Sequence, residues 1–157
     1  MTDKLVFQDL TCRLVDEDNL STFQLANGRY LYDYEFAMTH SLHRTDNLRC
    51  VGDVSYAGGH GIGIIRGCGT TFVSDEGKGI GGWLAIYGAG ELAKRGVKTI
   101  TIDSLDRKAG EFWMHMANND MFPYTFRLRT SEDDKLPRTG VPTSGPHLIG
   151  VLKKISL

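Results

Sequence analysis

Between residues 68 and 122 the chain reads as strand, glycine loop, helix, strand and helix, an order that leaves few folds open. Residues 68–74 (CGTTFVS) are β-rich, 75–82 (DEGKGIGG) form the loop, and 83–95 are amphipathic. Trp83, Leu84, Tyr87, Glu91 and Leu92 fall near i, i+3, i+4 spacing, with Ile80 leading in. Lys94 and Arg95 suit the last turn, and Gly96 suits the stop. Gly88 and Gly90 weaken this helix by roughly 1 kcal/mol each relative to alanine, so close packing on a sheet is expected to compensate. Residues 97–102 are a β-branched run fit for a central strand. Asp106 can cap the next helix, on which Ala109, Phe112, Trp113, Met116 and Ala117 make one apolar stripe. Pro123 forbids its continuation.

The loop carries the chemistry. Its glycines let the backbone approach a ligand, and a helix that starts there points unpaired N–H groups and its positive dipole end outward. Gly77, Lys78, Gly79, Ile80, Gly81 and Gly82 are therefore candidates for a pyrophosphate cradle. A tight turn that binds nothing explains the glycines equally well. A P-loop is excluded, because Gly77-Lys78 is followed by Gly79 where a magnesium-binding hydroxyl is required. A dinucleotide fingerprint is excluded too, since Gly77, Gly79 and Gly81 lie at the wrong spacing.

These residues together resemble the core of the GNAT superfamily, the acetyl-CoA-dependent N-acetyltransferases. Glu76-Gly77-Lys78-Gly79-Ile80-Gly81 matches the family's R/Q-x-x-G-x-G/A turn from strand into helix. Downstream, Ala93-Lys94-Arg95-Gly96-Val97, then Asp103, then Asp106-x-x-Ala109-x-x-Phe112-Trp113 follow the family's order, and HLIGVLKKI resembles its closing strand. The resemblance implies a single domain over residues 1–157, of mixed α/β (α+β) class. Its sheet would be mostly antiparallel, with flanking helices and one splayed parallel strand pair. It also implies acetyl-CoA as cofactor, with the acyl-pantetheine arm in the splay beside Phe72, Val73 and Ser74, and with Asp106 and Phe112 near it. Three residues depart from the pattern: Glu76 where Arg or Gln is usual, Asp106 for asparagine, and Trp113 for the tyrosine that often protonates the departing thiolate.

Elsewhere the signals are more ordinary. Residues 4–15 read as an opening strand, and Asp16, Glu17, Asp18 and Asn19 as an acidic helix start that packs Leu20 and Phe23. Residues 30–43 fit either period, since Tyr30, Tyr32 and Tyr34 alternate while Tyr34, Met38 and Leu42 are helically spaced; a helix is favoured. By the resemblance this region lines the acceptor pocket, although its aromatics also read as core. Residues 48–56 are a strand, 57–61 a turn, and 62–66 a strand that breaks at Gly67. Residues 124–130 alternate as a strand, and 147–155 close the sheet. Between them, 131–146 is a polar loop long enough to be functional or mobile, and it either folds over the acceptor site or is solvated.

Composition excludes more than it selects. The 157 residues carry a formal charge of −1, which gives no global pull towards nucleic acid or membrane. No apolar run reaches spanning length, and the first residues do not resemble a signal peptide. Cys12, Cys50 and Cys68 are scattered, so neither a disulfide framework nor a metal site is expected, and a cytoplasmic location fits.

Acetyl transfer requires a base for the acceptor amine and donors for the tetrahedral oxyanion. Asp53 and His60 are the candidate bases, with Glu35 and Asp75 behind them. Trp113 cannot serve as the acid, and His115 falls on the outer side of its helix. Tyr124 is the remaining phenol, and a thiolate can also leave unprotonated. The expected function is N-acetyl transfer from acetyl-CoA to a primary amine, by direct attack in a ternary complex. That acceptor is a small molecule, a protein amine or a modified nucleobase, and a homodimer is allowed. The alternative is a catalytically inactive GNAT-fold binding or interaction module.

Overall fold

The computed structural model describes residues 10–17, 34–46, 49–70, 79–104, 106–138 and 144–154. In chain order its elements are β1 (Leu10–Glu17), β2 (Phe36–Arg44), β3 (Cys50–Gly59), β4 (Ile62–Thr70), α1 (Ile80–Lys94), β5 (Thr99–Asp103), α2 (Arg107–Ala117), β6 (Tyr124–Leu128) and β7 (His147–Leu152). The strands form one sheet in the order β1-β2-β3-β4-β5-β7-β6. Every neighbouring pair is antiparallel except β4 and β5. This is the mixed, mostly antiparallel sheet with flanking helices that the sequence leads one to expect.

The local signals around α1 and α2 act as read. Gly96 takes φ 81° and donates its N–H to the Ala93 carbonyl, which stops α1. Asp106 accepts from the Ala109 N–H at 2.8 Å and caps α2. A Cβ at Gly88 would meet Val54 Cγ2 at 2.9 Å, so this glycine lets α1 lie close on β3. The core on the helix side joins Val54, Tyr56, Leu84, Leu92, Ile100, Ile102, Trp113, Phe122 and Leu148.

Four expectations are corrected. Residues 36–44 are a strand and not a helix: β2 pairs with β1 on one side and β3 on the other. Asp16 and Glu17 end β1, opposite Thr39 and Met38, and do not start a helix; Leu20 and Phe23 lie outside the described residues. The chain does not break at Gly67 either, because β4 runs unbroken through it. What lies there is a bulge. Tyr56 pairs with Ile65 and Ser55 with Gly67, so Arg66 is the extra residue. The β3–β4 turn is also tighter than expected: β3 continues to Gly59, and only His60 (φ 56°) and Gly61 (φ 79°) turn the chain. Positive φ at both positions is the turn whose twist suits a two-residue hairpin.

Candidate active site at the opening between β4 and β5

The parallel pair is closed at one end and open at the other. Ile62, Gly63 and Ile64 pair with Thr99, Ile100 and Thr101, and there the register ends. β4 runs on to Thr70 and β5 to Asp103 without further pairing between them. The cause is local. The bulge at Arg66 comes two residues after the last pair and bends β4 away from its neighbour. The β5-facing backbone edge of β4 beyond Ile64 therefore has no strand partner among the described residues, and such N–H and C=O groups require one.

Both helices start at this open end. Gly79 precedes α1 with φ 79°, a conformation open to glycine, and no side chain caps the helix. The first bond of α1 there runs from the Trp83 N–H to the Gly79 carbonyl, so the N–H groups of Ile80, Gly81 and Gly82 have no partner within the helix. The Cβ position of Gly81 lies 3.7 Å from the Phe112 ring, which brings the first turn of α1 against α2. Cys68, on the wall facing α1, donates from Sγ to the Gly81 carbonyl at 3.4 Å. Burial, helped by the Asp53 charge, pushes its thiol up to about 12, which makes it a poor nucleophile.

Alternation fixes which side chains share the other face of the sheet. Val54, Tyr56, Ile65, Ile100, Ile102 and Leu148 belong to the helix-side core. Asp53 and Ser55 on β3, Thr101 and Asp103 on β5, and His147 on β7 consequently lie on the face away from the helices. Ser55 shares a 2.8 Å hydrogen bond there with Thr39. Asp53 stands opposite Gly69, and nothing lies within 4 Å of the Cβ positions of Gly67 and Gly69. Asp53 is exposed on this face one strand from the opening, and partial desolvation raises its carboxyl above its ordinary value. The hydroxyls of Thr101 and Ser104 are buried with no hydrogen-bond partner among the described residues.

The structure brings some predicted site residues together and separates others. Gly79, Ile80, Gly81, Gly82, Asp106 and Phe112 gather at the open end, with Asp53 one strand from it. Phe72, Val73, Ser74, Gly77 and Lys78 lie outside the described residues. His60 sits at the opposite end: the closed ladder, about 10 Å of it, separates its turn from the opening. Its backbone N–H donates to Glu35 Oε1 at 2.8 Å. Tyr124 is fully buried and donates to the Val97 carbonyl at 2.7 Å, and burial raises its phenol further, so it serves the core and not the opening. Trp113 packs on Phe112, Phe122 and Phe126, and Phe112 is the α2 ring that faces α1.

Sequence reasoning missed two features. One is the contact of His147 Nδ1 with Asp103 Oδ1 at 2.7 Å, between residues 44 positions apart. The other is the order in the loop after β6. Asp133 takes two 2.8 Å bonds from Arg127, and Arg129 donates to the carbonyls of Asp133, Leu136 and Pro137. Arg127 and the Thr130 N–H hold the Asp133 carboxyl well below the usual range. The arginines of residues 127–129 were the available signal, since an arginine beside a proline-rich loop can collect carbonyls.

No family model matches the chain, and neither does any of the curated proteins. Solved structures do match in shape. A GNAT-family acetyltransferase of Staphylococcus aureus superposes with a TM-score of 0.55 at 12% identity, over 87% of this chain and 75% of its own. The fold is that of the GNAT acetyltransferases. A Bacillus subtilis acetyltransferase in complex with CoA gives 0.54 at 16% identity, over 93% of this chain and 99% of its own. The ribosomal-protein-S18-alanine N-acetyltransferase of Escherichia coli gives 0.54 at 14%, over 91% and 92%. In this GNAT fold no described helix is long and apolar enough to cross a membrane.

Proposed function

We propose that the chain is a divergent GNAT N-acetyltransferase that uses acetyl-CoA to acetylate a primary amine. The observation that carries this is the opening itself: past its bulge β4 has no strand partner on the β5 side among the described residues, and the N-terminus of α1 has no side-chain cap. An extended, amide-bearing arm satisfies such an edge as an added strand would, and the N–H groups of Ile80, Gly81 and Gly82, which have no partner within the helix, suit a pyrophosphate. Gly67 and Gly69 leave room, and Phe112 flanks the first turn of α1. The remaining loop residues Phe72, Val73, Ser74, Gly77 and Lys78 would complete the cradle. When bound, acetyl-CoA supplies an acyl thioester open to direct attack by an amine.

This chain's own groups do the rest. The two described helices lie on one face of the sheet, and Asp53, exposed on the opposite face, offers a carboxylate to the ammonium end of an acceptor placed there. Backbone N–H groups on the β5-facing edge of β4, past its last pairing with β5, are the candidate oxyanion donors. α2 carries no phenol and Tyr124 is committed to Val97, so sulfur leaves as thiolate or draws its proton from water. The test is release of CoA thiol from acetyl-CoA in the presence of spermidine, a peptide with a free N-terminal alanine and a lysine peptide. Mass spectrometry would follow the amine. Gain of an acetyl group on one amine with matching thiol release supports the reading. Thiol release and acetyl gain absent with every amine would favour the non-catalytic alternative.

A further inference from the structure

We propose that His147, held by Asp103, is the base that takes the acceptor's proton; this rests on the acyl-transfer reading above. Asp103 ends β5, the strand that walls one side of the opening, and His147 begins β7 directly opposite it. Their 2.7 Å contact joins a carboxylate that is 4% exposed to an imidazole that is 38% exposed. A carboxylate can only accept, so Nδ1 donates, and this tautomer leaves the Nε2 lone pair free. A buried carboxylate in that position both aims the ring and stabilises the imidazolium that forms.

The placement is what a base requires. His147 is on the face away from the helices, the face expected to receive the acceptor. Only β5, one strand spacing of about 4.8 Å, lies between it and the opening. Asp53 has the mirror position on β3, one strand beyond β4, so the two groups flank the opening from opposite sides. With Nδ1 held by Asp103 on the intervening strand, Nε2 reaches the acceptor amine through one water. The main chain that carries the ring is fixed as well: the Arg129 N–H donates to the His147 carbonyl at 2.8 Å, and the Ser104 N–H to the Pro146 carbonyl at 3.1 Å.

Asp103 faces the ring from β5. From β6 and the turn after it come Arg127, paired with Asp133, and Arg129, whose guanidinium is engaged by three carbonyls, with Asp134 and Arg138 acting on Arg129. In the step, the amine nitrogen bonds to the acyl carbon while its proton passes through the bridging water to Nε2. The C–S bond breaks with its electron pair on sulfur, and the imidazolium gives its proton to solvent.

The experiment compares the full-length chain with His147→Gln, Asp103→Asn and Asp53→Asn. For each, thiol release from acetyl-CoA is followed against pH with the amine acetylated above, and acetyl-CoA binding by calorimetry. The expected result is a fall in kcat of about 100-fold or more for H147Q, with acetyl-CoA affinity unchanged and the acidic limb of the profile gone. D103N should lose at least about tenfold, because an amide no longer selects the tautomer. Imidazole nitrogen resonances should show Nδ1 protonated and Nε2 bare in the wild type. An H147Q enzyme with wild-type rate and limb, or removal of that limb by D53N instead, would overturn the inference. Failure of the wild type to bind acetyl-CoA would instead sink the acyl-transfer reading beneath it.

Discussion

β4 contains glycines in both its lower and upper lengths, and they do opposite work. In the closed ladder, a Cβ at Gly63 would meet the Ala57 carbonyl at 3.0 Å, Val97 at 3.1 Å and Leu92 at 3.2 Å. Past the bulge, the same addition at Gly67 or Gly69 would meet nothing within 4 Å. The lower glycine lets α1 and β5 close on the strand. The upper ones clear a floor between Asp53 and the opening. One residue type in one strand thus marks packing at one end and, among the described residues, open space at the other, beside the edge where the proposed ligand would lie.

That contrast can be attacked at several points. The largest effect is expected from Gly79→Val, since a β-branched residue at φ 79° is strained by about 1–3 kcal/mol and must move the start of α1. Calorimetry should show acetyl-CoA affinity down on the order of 100-fold with the protein still folded. Next come the two lengths of β4 directly. Gly63→Val should lower unfolding free energy by about 2–3 kcal/mol in urea titrations, because Ala57, Val97 and Leu92 cannot all retreat. Gly69→Val should leave stability within about 0.5 kcal/mol of wild type yet cut acetyl transfer at least about tenfold. If both valines merely destabilised the fold, the distinction between the lengths would collapse.

Smaller changes sharpen it. Tyr124→Phe leaves the Val97 carbonyl unpaired and should cost about 1–2 kcal/mol of stability with kcat intact, as befits a core phenol. Asp53→Asn should give the slightest stability effect, and its sign is informative. Burial raises the Asp53 carboxyl in the folded state, so its favourable contribution exists below the unfolded value near about 4 and is lost as pH rises through the folded value. The asparagine variant should therefore melt slightly higher than wild type at pH 7, an advantage that fades toward pH 4 and below.

What could be read from the sequence was what local chemistry encodes. Gly96 as a stop, Asp106 as a cap and the β-branched run of β5 each act through neighbours a few residues away, and all three hold. β2 was misread because it is covered on both faces: Ala37, Met38, His40, Ser41 and Leu42 are all buried, which erases the period of two. His40 even finds its partner on the next strand, sharing a 2.8 Å hydrogen bond with Tyr56. Gly67 looked like an end because a bulge and a break use the same residue. For the site, the glycine motif was legible, whereas Asp103 and His147 meet only because β7 returns beside β5, and no spacing announces that.

The central claim is that the opening between β4 and β5 holds the acyl-pantetheine arm. Calorimetric titration of the wild type with acetyl-CoA and, in parallel, with adenosine 3′,5′-bisphosphate tests it most directly, because only the first carries the arm. The account predicts saturable micromolar binding of acetyl-CoA, at least about tenfold tighter than the nucleotide. Equal affinities would leave the helix N-terminus as a mere anion site with an empty opening, and no binding at millimolar acetyl-CoA would contradict the account outright.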